Sequence, residues 1–298
     1  MPSSTAAWLH ERGASAAAIR AHYDLGNDFF ALWLDPELLY TCASWGPSGE
    51  TDLAAAQRAK IDYFAQNLGI GRGDRVLDIG CGWGGALRRF VAVHGAEAGV
   101  GLTLSPSQYA FVAANSGPQV SALLSGWVDY APEIRFDGIV CIEAVEAFAK
   151  RHLARADKVA IYRAFFERCH AWLKPGRRLG LQMIAYGNAR PEHFDKFIAT
   201  DIFPESDLPF LSEMIEASEG LFEPITLQND RADYVRTLRA WLAGLKAGRD
   251  AARAIVGAPT VKKFEDYLRL SWLMFDRGAC DLHRIIFRRI DALRFAQG

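Results

Sequence analysis

Apolar and polar positions divide the chain into distinct textures. Residues 1–70 are alanine-rich with helical spacing, broken by turn formers at Gly26-Asn27-Asp28 and Asp35-Pro36, and predict a helical cap. From Arg75 onward, short apolar runs alternate with helix-length segments. The runs are Val76-Leu77-Asp78-Ile79, Ala98-Gly99-Val100-Gly101-Leu102, Gly138-Ile139-Val140-Cys141-Ile142 and Arg178-Leu179-Gly180-Leu181-Gln182-Met183. Such alternation predicts a mostly parallel sheet joined by crossover helices. Residues 186–226 lose the periodicity and carry Pro191, Pro204 and Pro209 among Phe194, Phe197, Phe203 and Phe210, which predicts a lid inserted over the sheet and suited to an apolar pocket. Helical spacing then returns and ends in His283-Arg284-Ile285-Ile286-Phe287-Arg288-Arg289-Ile290, which reads as an amphipathic helix with solvated arginines. The expectation is one doubly wound α/β domain: cap 1–70, cofactor-binding core 71–185, lid 186–226 and C-terminal part of the core 227–298.

Composition narrows the classes. Hydrophobic residues make up 50%, charged residues 23%, and the net charge is −1, an ordinary globular balance that points to no nucleic-acid partner. Cys42, Cys81, Cys141, Cys169 and Cys280 are odd in number and lack C-x-x-C spacing, which argues against a disulfide framework and a structural metal and favours the cytoplasm. No eighteen-residue apolar run and no leader-like start are present, so at most peripheral membrane contact is expected, through the basic C-terminal segment. His22 and His170 have no partners at ligand spacing and read as structural. Assembly into a homo-oligomer is left open.

The strongest local signal is Val76-Leu77-Asp78-Ile79-Gly80-Cys81-Gly82-Trp83-Gly84-Gly85, an apolar strand entering a glycine-rich turn before a helix. Glycine suits a turn whose backbone passes close to a ligand at positive φ. Gly80, Gly82 and Gly85 also satisfy the dinucleotide pattern, so spacing alone does not separate S-adenosylmethionine from NAD. Asp78 inside the first strand, placed to organise the turn and the methionine ammonium, favours S-adenosylmethionine. So does the second run, which ends Gly101-Leu102-Thr103-Leu104-Ser105 without a ribose-binding carboxylate. The predicted fold is therefore Rossmann-like, of the methyltransferase kind.

Several ordered motifs resemble the cyclopropane fatty acid synthases and mycolic acid cyclopropane synthases. They are Ala21-His22-Tyr23-Asp24-Leu25-Gly26-Asn27-Asp28-Phe29-Phe30, Leu39-Tyr40-Thr41-Cys42-Ala43, Ala59-Lys60-Ile61-Asp62, the glycine turn, Thr103 with Gln108, Ser125-Gly126-Trp127, Asp201-Ile202-Phe203-Pro204 and Asp233-Tyr234-Val235-Arg236-Thr237-Leu238. The resemblance implies that Tyr40 and Thr41 hold the methionine end of the cofactor, that Thr103 and Gln108 take the ribose hydroxyls, and that Trp127 lies by the adenine. Val128 stands where that family has a glutamate, and Asp129 is the nearby substitute.

The resemblance also implies methyl transfer to an alkene carbon, with a bound bicarbonate as proton acceptor. Its shell here would be Cys42, Glu146, Tyr234 and the Ile142 backbone. Two members differ: Glu143 replaces a glycine and Gln182 replaces a histidine. An anion beside a new carboxylate is disfavoured, so Glu143 is expected to be a built-in base that makes bicarbonate unnecessary. Glu146, one helical turn on, is expected to couple to it and raise one pKa. Plant benzylisoquinoline N-methyltransferases resemble the chain at this glutamate pair but carry a histidine where Ala147 stands. The acceptor is thus an unsaturated lipid, another hydrophobic metabolite or a hydrophobic amine. A catalytically silent S-adenosylmethionine-binding protein is the remaining alternative.

Overall fold

The computed structural model describes residues 4–15, 17, 25–46, 52–190, 192 and 205–292. Helices α1 (Ser4–Arg12), α2 (Asn27–Ala31) and α3 (Leu53–Leu68) precede the sheet. Asp52 caps α3 by accepting from Ala55 N at 2.7 Å, and Gly69 closes it in the left-handed region, as helix ends require. There follow β1 (Arg75–Ile79), α4 (Gly85–Ala92), β2 (Ala98–Thr103), α5 (Pro106–Asn115), β3 (Val120–Leu124), β4 (Phe136–Ile142), α6 (Arg155–Trp172) and β5 (Leu173–Tyr186). The chain continues through α7 (Leu211–Ser218), β6 (Phe222–Asn229), α8 (Arg231–Ala247), α9 (Arg249–Val256), α10 (Ala258–Asp276) and β7 (Cys280–Arg289).

The strands form one sheet in the order β3-β2-β1-β4-β5-β7-β6. The first five pair in parallel, and β7 inserts antiparallel between β5 and β6. One face is covered by α6 and α7, with Leu9 of α1, Phe165 and Phe166 in its core. The other carries α3, α4 and α5 around Ile61, Phe64, Leu87 and Val112. Each such fully buried apolar side chain contributes roughly 1.5–3 kcal/mol. Gly180 on β5 lets α3 pack close, because a Cβ there would lie 2.6 Å from the Phe64 ring. A third cluster joins α2 and the 38–42 segment to α8, α9 and α10. The cap is therefore built from both ends of the chain.

Two expectations need correction. The basic segment 283–290 belongs to strand β7, not to a helix. Ile285 and Phe287 pack on the α6 face and Ile286 on the α3 face, so this interior strand is apolar on both sides there and shows no period of two. Its arginines are not all solvated either, since Arg284 is 2% exposed. Strands β3 and β6 had no clear sequence signal because they are the sheet's two edges and most of their residues are exposed. Of the lid, 211–226 is α7 and the start of β6, while Pro191, Phe194, Phe197 and the Asp201-Ile202-Phe203-Pro204 motif lie outside the described residues, as do Ala21, His22, Tyr23 and Asp24. No described helix is long and apolar enough to cross a membrane.

Candidate active site

The parallel strands end beneath a cavity of about 510 Å³, within the range of small-molecule sites. At its floor β1 runs into the turn 80–84. The backbone N–H groups of Gly80 and Cys81 both donate to Leu102 O, at 3.0 and 2.9 Å, which ties the turn to β2. Gly80 has φ 89°, and a Cβ there would meet Ala144 Cβ at 2.6 Å. The turn needs glycine both for its conformation and for its clearance. Asp78 lies just below, 3% exposed, and its Oδ1 has no hydrogen-bond partner among the described residues. Burial, opposed by Lys60, pushes its pKa up to about 7. Asp78, Gly80, Gly82, Tyr40, Thr41 and Ile142 share a small adjoining pocket. An orphaned carboxylate oxygen above which no Cβ fits is a suitable seat for the ammonium end of S-adenosylmethionine.

Thr103 and Gln108 lie on the cavity wall, joined by a 2.8 Å hydrogen bond in which Thr103 Oγ1 donates to Gln108 Oε1. Ser105 caps α5, which fixes Gln108 relative to the end of β2. Trp127 lines the cavity and packs against Phe148 and Phe165, with ring centroids 5.1 and 5.8 Å away. Asp129 also borders the cavity, but its oxygen contacts His10 Nε2 of α1 at 2.8 Å. Helix α1 closes this side: Ala14 N donates to Ala147 O, and Lys150 N to Arg12 O.

Glu143 follows β4 with φ 53°, a left-handed conformation costly for any residue with a Cβ. Its carboxylate collects three donors. Cys42 N reaches Oε1 at 2.8 Å, Gln182 Nε2 reaches Oε1 at 2.6 Å, and the Tyr234 hydroxyl donates to Oε2 at 2.6 Å. Burial raises the Glu143 pKa, and these donors together with Lys60 oppose the rise. Cys42 contributes its backbone only. Its thiol is fully buried, donates to Ala43 O and is kept protonated by burial.

Glu146 sits on the 3-10 turn Val145–Ala147 and faces the cavity. Ile184 N donates to its Oε1 at 2.6 Å, while Oε2 has no partner among the described residues. Burial first, and the Glu143 carboxylate second, push its pKa up to about 8. With its pKa at about 8, Glu146 holds its proton at neutral pH. An acid whose pKa rises on folding binds an extra proton in the folded state. Stability is therefore full below the ordinary value of 4.5 and declines as pH climbs towards about 8. Cofactor-free protein should melt at a higher temperature at pH 6 than at pH 8.5, with a flatter dependence in Glu146→Gln, as read by differential scanning calorimetry. An unchanged slope in that variant removes Glu146 as the source.

Two site residues were missed. Arg284, on β7, donates from Nε to Gln182 Oε1 at 2.7 Å, from Nη1 to Asp230 Oδ2 at 2.6 Å, and from Nη2 to Ala43 O at 2.8 Å. A guanidinium only donates and a carboxylate only accepts. The Gln182 amide is thereby held with its oxygen on Arg284 and its NH2 on Glu143 and Cys42 O. Lys60, on α3, is fully buried behind Thr41. It lay within a recognised motif without an assigned role, whereas Arg284 was hidden by the helical reading of its segment.

The strand order, the glycine turn with its buried acid and the wall at the strand ends define an S-adenosylmethionine-dependent methyltransferase. The family model described as Mycolic acid cyclopropane synthetase matches residues 10–285, and the chain belongs to that family. It is 35% identical over 272 residues to hydroxymycolate synthase MmaA4 of Mycobacterium tuberculosis, covering 84% of this chain and 85% of that protein. The crystal structure of mycolic acid cyclopropane synthase CmaA1 complexed with SAH and CTAB superposes with a TM-score of 0.83 at 32% identity, covering 94% of this chain and all of that one. Coclaurine N-methyltransferase, bound to N-methylheliamine and SAH, shares the fold with a TM-score of 0.74 at 18% identity, over 91% of this chain and 86% of that one.

Proposed function

We propose that the chain transfers the one-carbon group of S-adenosylmethionine to a carbon of an unsaturated lipid or hydrophobic metabolite, with Glu143 as its own base and no bicarbonate. The observation that carries this is the Glu143 carboxylate held by Cys42, Gln182 and Tyr234. Those three positions are where the family resemblance puts bicarbonate-binding groups. When bound, S-adenosylmethionine supplies an electrophilic methyl group on a sulfonium. An acceptor alkene that attacks it leaves a cation on the acceptor. The rings of Tyr40, Tyr234, Tyr267 and Phe275 border the cavity and can face that cation and exclude water. The Glu143 carboxylate then accepts the proton that the cation loses. Relatives named for mycolate products support a lipid acceptor.

A second reading, N-methylation of a hydrophobic amine, is favoured by one feature. Glu146 Oε2, without a partner among the described residues, lies in the same cavity as Glu143, so a second polar group stands beside the Glu143 carboxylate for an amine to contact. Mass spectrometry with deuteriomethyl-labelled S-adenosylmethionine separates the readings, using vesicles of unsaturated phospholipid and a panel of hydrophobic amines as acceptors. Label on acyl carbon with one deuteron lost marks a ring, full label on carbon marks C-methylation, and label on nitrogen marks the second reading. Binding of S-adenosylhomocysteine without turnover of any acceptor would favour the silent alternative.

A further inference from the structure

Lys60 has no part in the proton transfer, yet it places an ammonium in the interior with no exposed surface. Its Nζ donates to Thr41 Oγ1 at 2.5 Å and to Gln57 Oε1 at 2.6 Å. Gln57, one turn earlier on α3, donates from Nε2 to Leu39 O at 3.0 Å and Thr41 O at 2.8 Å. The two side chains clamp the backbone on both sides of Tyr40.

Gln57 already holds that backbone through two hydrogen bonds that need no charge, so the buried ammonium calls for another reason. An isolated ammonium is costly to bury unless opposite charge lies close, and Asp35 and Glu143 supply it here. The Lys60 charge, in turn, favours the ionised form of Asp78. The hydrogen-bond polarity is equally specific. An ammonium can only donate, so Thr41 Oγ1 is the acceptor in this contact and its own O–H must donate elsewhere. Thr41 lines the small pocket beside Asp78 and Gly80.

We propose that Lys60 is a positioning residue for the amino-acid end of the cofactor. It turns the Thr41 hydroxyl into a donor towards the carboxylate of S-adenosylmethionine and balances Asp78, which meets the ammonium. The assignment rests on the cofactor class and is independent of Glu143 as base. It applies to one end of the ligand only, which makes it separable from a general loss of structure.

The test is titration calorimetry of the full chain with S-adenosylhomocysteine and with 5′-methylthioadenosine, which keeps the nucleoside and sulfur but lacks the amino-acid end. In Lys60→Met the affinity for S-adenosylhomocysteine should fall roughly 10- to 100-fold, as for loss of a charge-assisted contact, with that for 5′-methylthioadenosine unchanged. Thr41→Val should show the same selectivity and Thr41→Ser should restore wild-type binding. Should Lys60→Met fail to fold, Lys60→Gln removes the charge with less disturbance and is expected to lose the same ligand selectively. An equal loss for both ligands, or no loss for either, overturns the proposal.

Discussion

Glu143→Gln is expected to lower the methyl-transfer rate at saturating cofactor and acceptor by about 10²- to 10⁴-fold, the usual weight of a general base. Affinity for S-adenosylhomocysteine should fall far less than the rate, because Glu143 borders the small pocket as well as the cavity but the cofactor's floor is built by β1 and its turn. Glu143→Gly carries a second expectation that needs no acceptor. It removes the left-handed strain at φ 53° and leaves the Cys42 N–H, the Gln182 amide and the Tyr234 hydroxyl converging on an empty place. A small anion that binds only the folded state raises the melting temperature by mass action. Bicarbonate should therefore raise the melting temperature of Glu143→Gly and leave wild type unchanged, as followed by a thermal melt. A rise in wild type, or bicarbonate stimulation of its turnover, would show that Glu143 does not fill that place.

The second large effect is expected at Arg284, through both stability and turnover. Arg284 is 2% exposed, whereas the Asp230 and Asp233 side chains are 25% and 20% exposed. Arg284→Met leaves two partly buried carboxylates without their counter-charge and should cost about 3 kcal/mol in urea unfolding. It also frees the Gln182 amide to turn its oxygen towards Glu143, which would replace a donor with a repelling acceptor. Turnover should fall at least about tenfold, the equivalent of one lost hydrogen bond to a charged group. Arg284→Lys keeps the charge but cannot make the fork of contacts to Gln182, Asp230 and Ala43 O. It is expected to recover stability and not turnover. Equal recovery of both would reduce Arg284 to a structural ion pair.

The cofactor floor was legible in the sequence because its signals are local. Val76 to Gly85 carries the strand, the buried acid and the positive-φ glycines within one short stretch, and the register of β1 with β2 and β4 places the motif at the strand ends. The identity of Glu143 and Gln182 at two altered shell positions was equally readable. What the Glu143 carboxylate touches was not. Its donors come from positions 101, 39 and 91 residues away in the chain. Neither periodicity nor local propensity carries information about such contacts.

The same limit explains the error at β7. An interior strand with both faces covered need not alternate, and Ile285-Ile286-Phe287 flanked by arginines reads in sequence like a basic amphipathic helix. Pairing with β5 and β6 decides the matter, and with it the inward course of Arg284. The surroundings of the two carboxylates were likewise decided by packing. Glu143 is offered three donors and Glu146 one main-chain N–H, and burial raises the pKa of both. The sequence by itself determined the parallel core, the glycine turn with Asp78 and the chemistry of the altered residues, since these depend on neighbours in the chain. Only the tertiary structure decided the base's hydrogen bonds, the buried Lys60 and Arg284, and the cap assembled from both ends, because these depend on strands and helices brought together across the whole length of the chain.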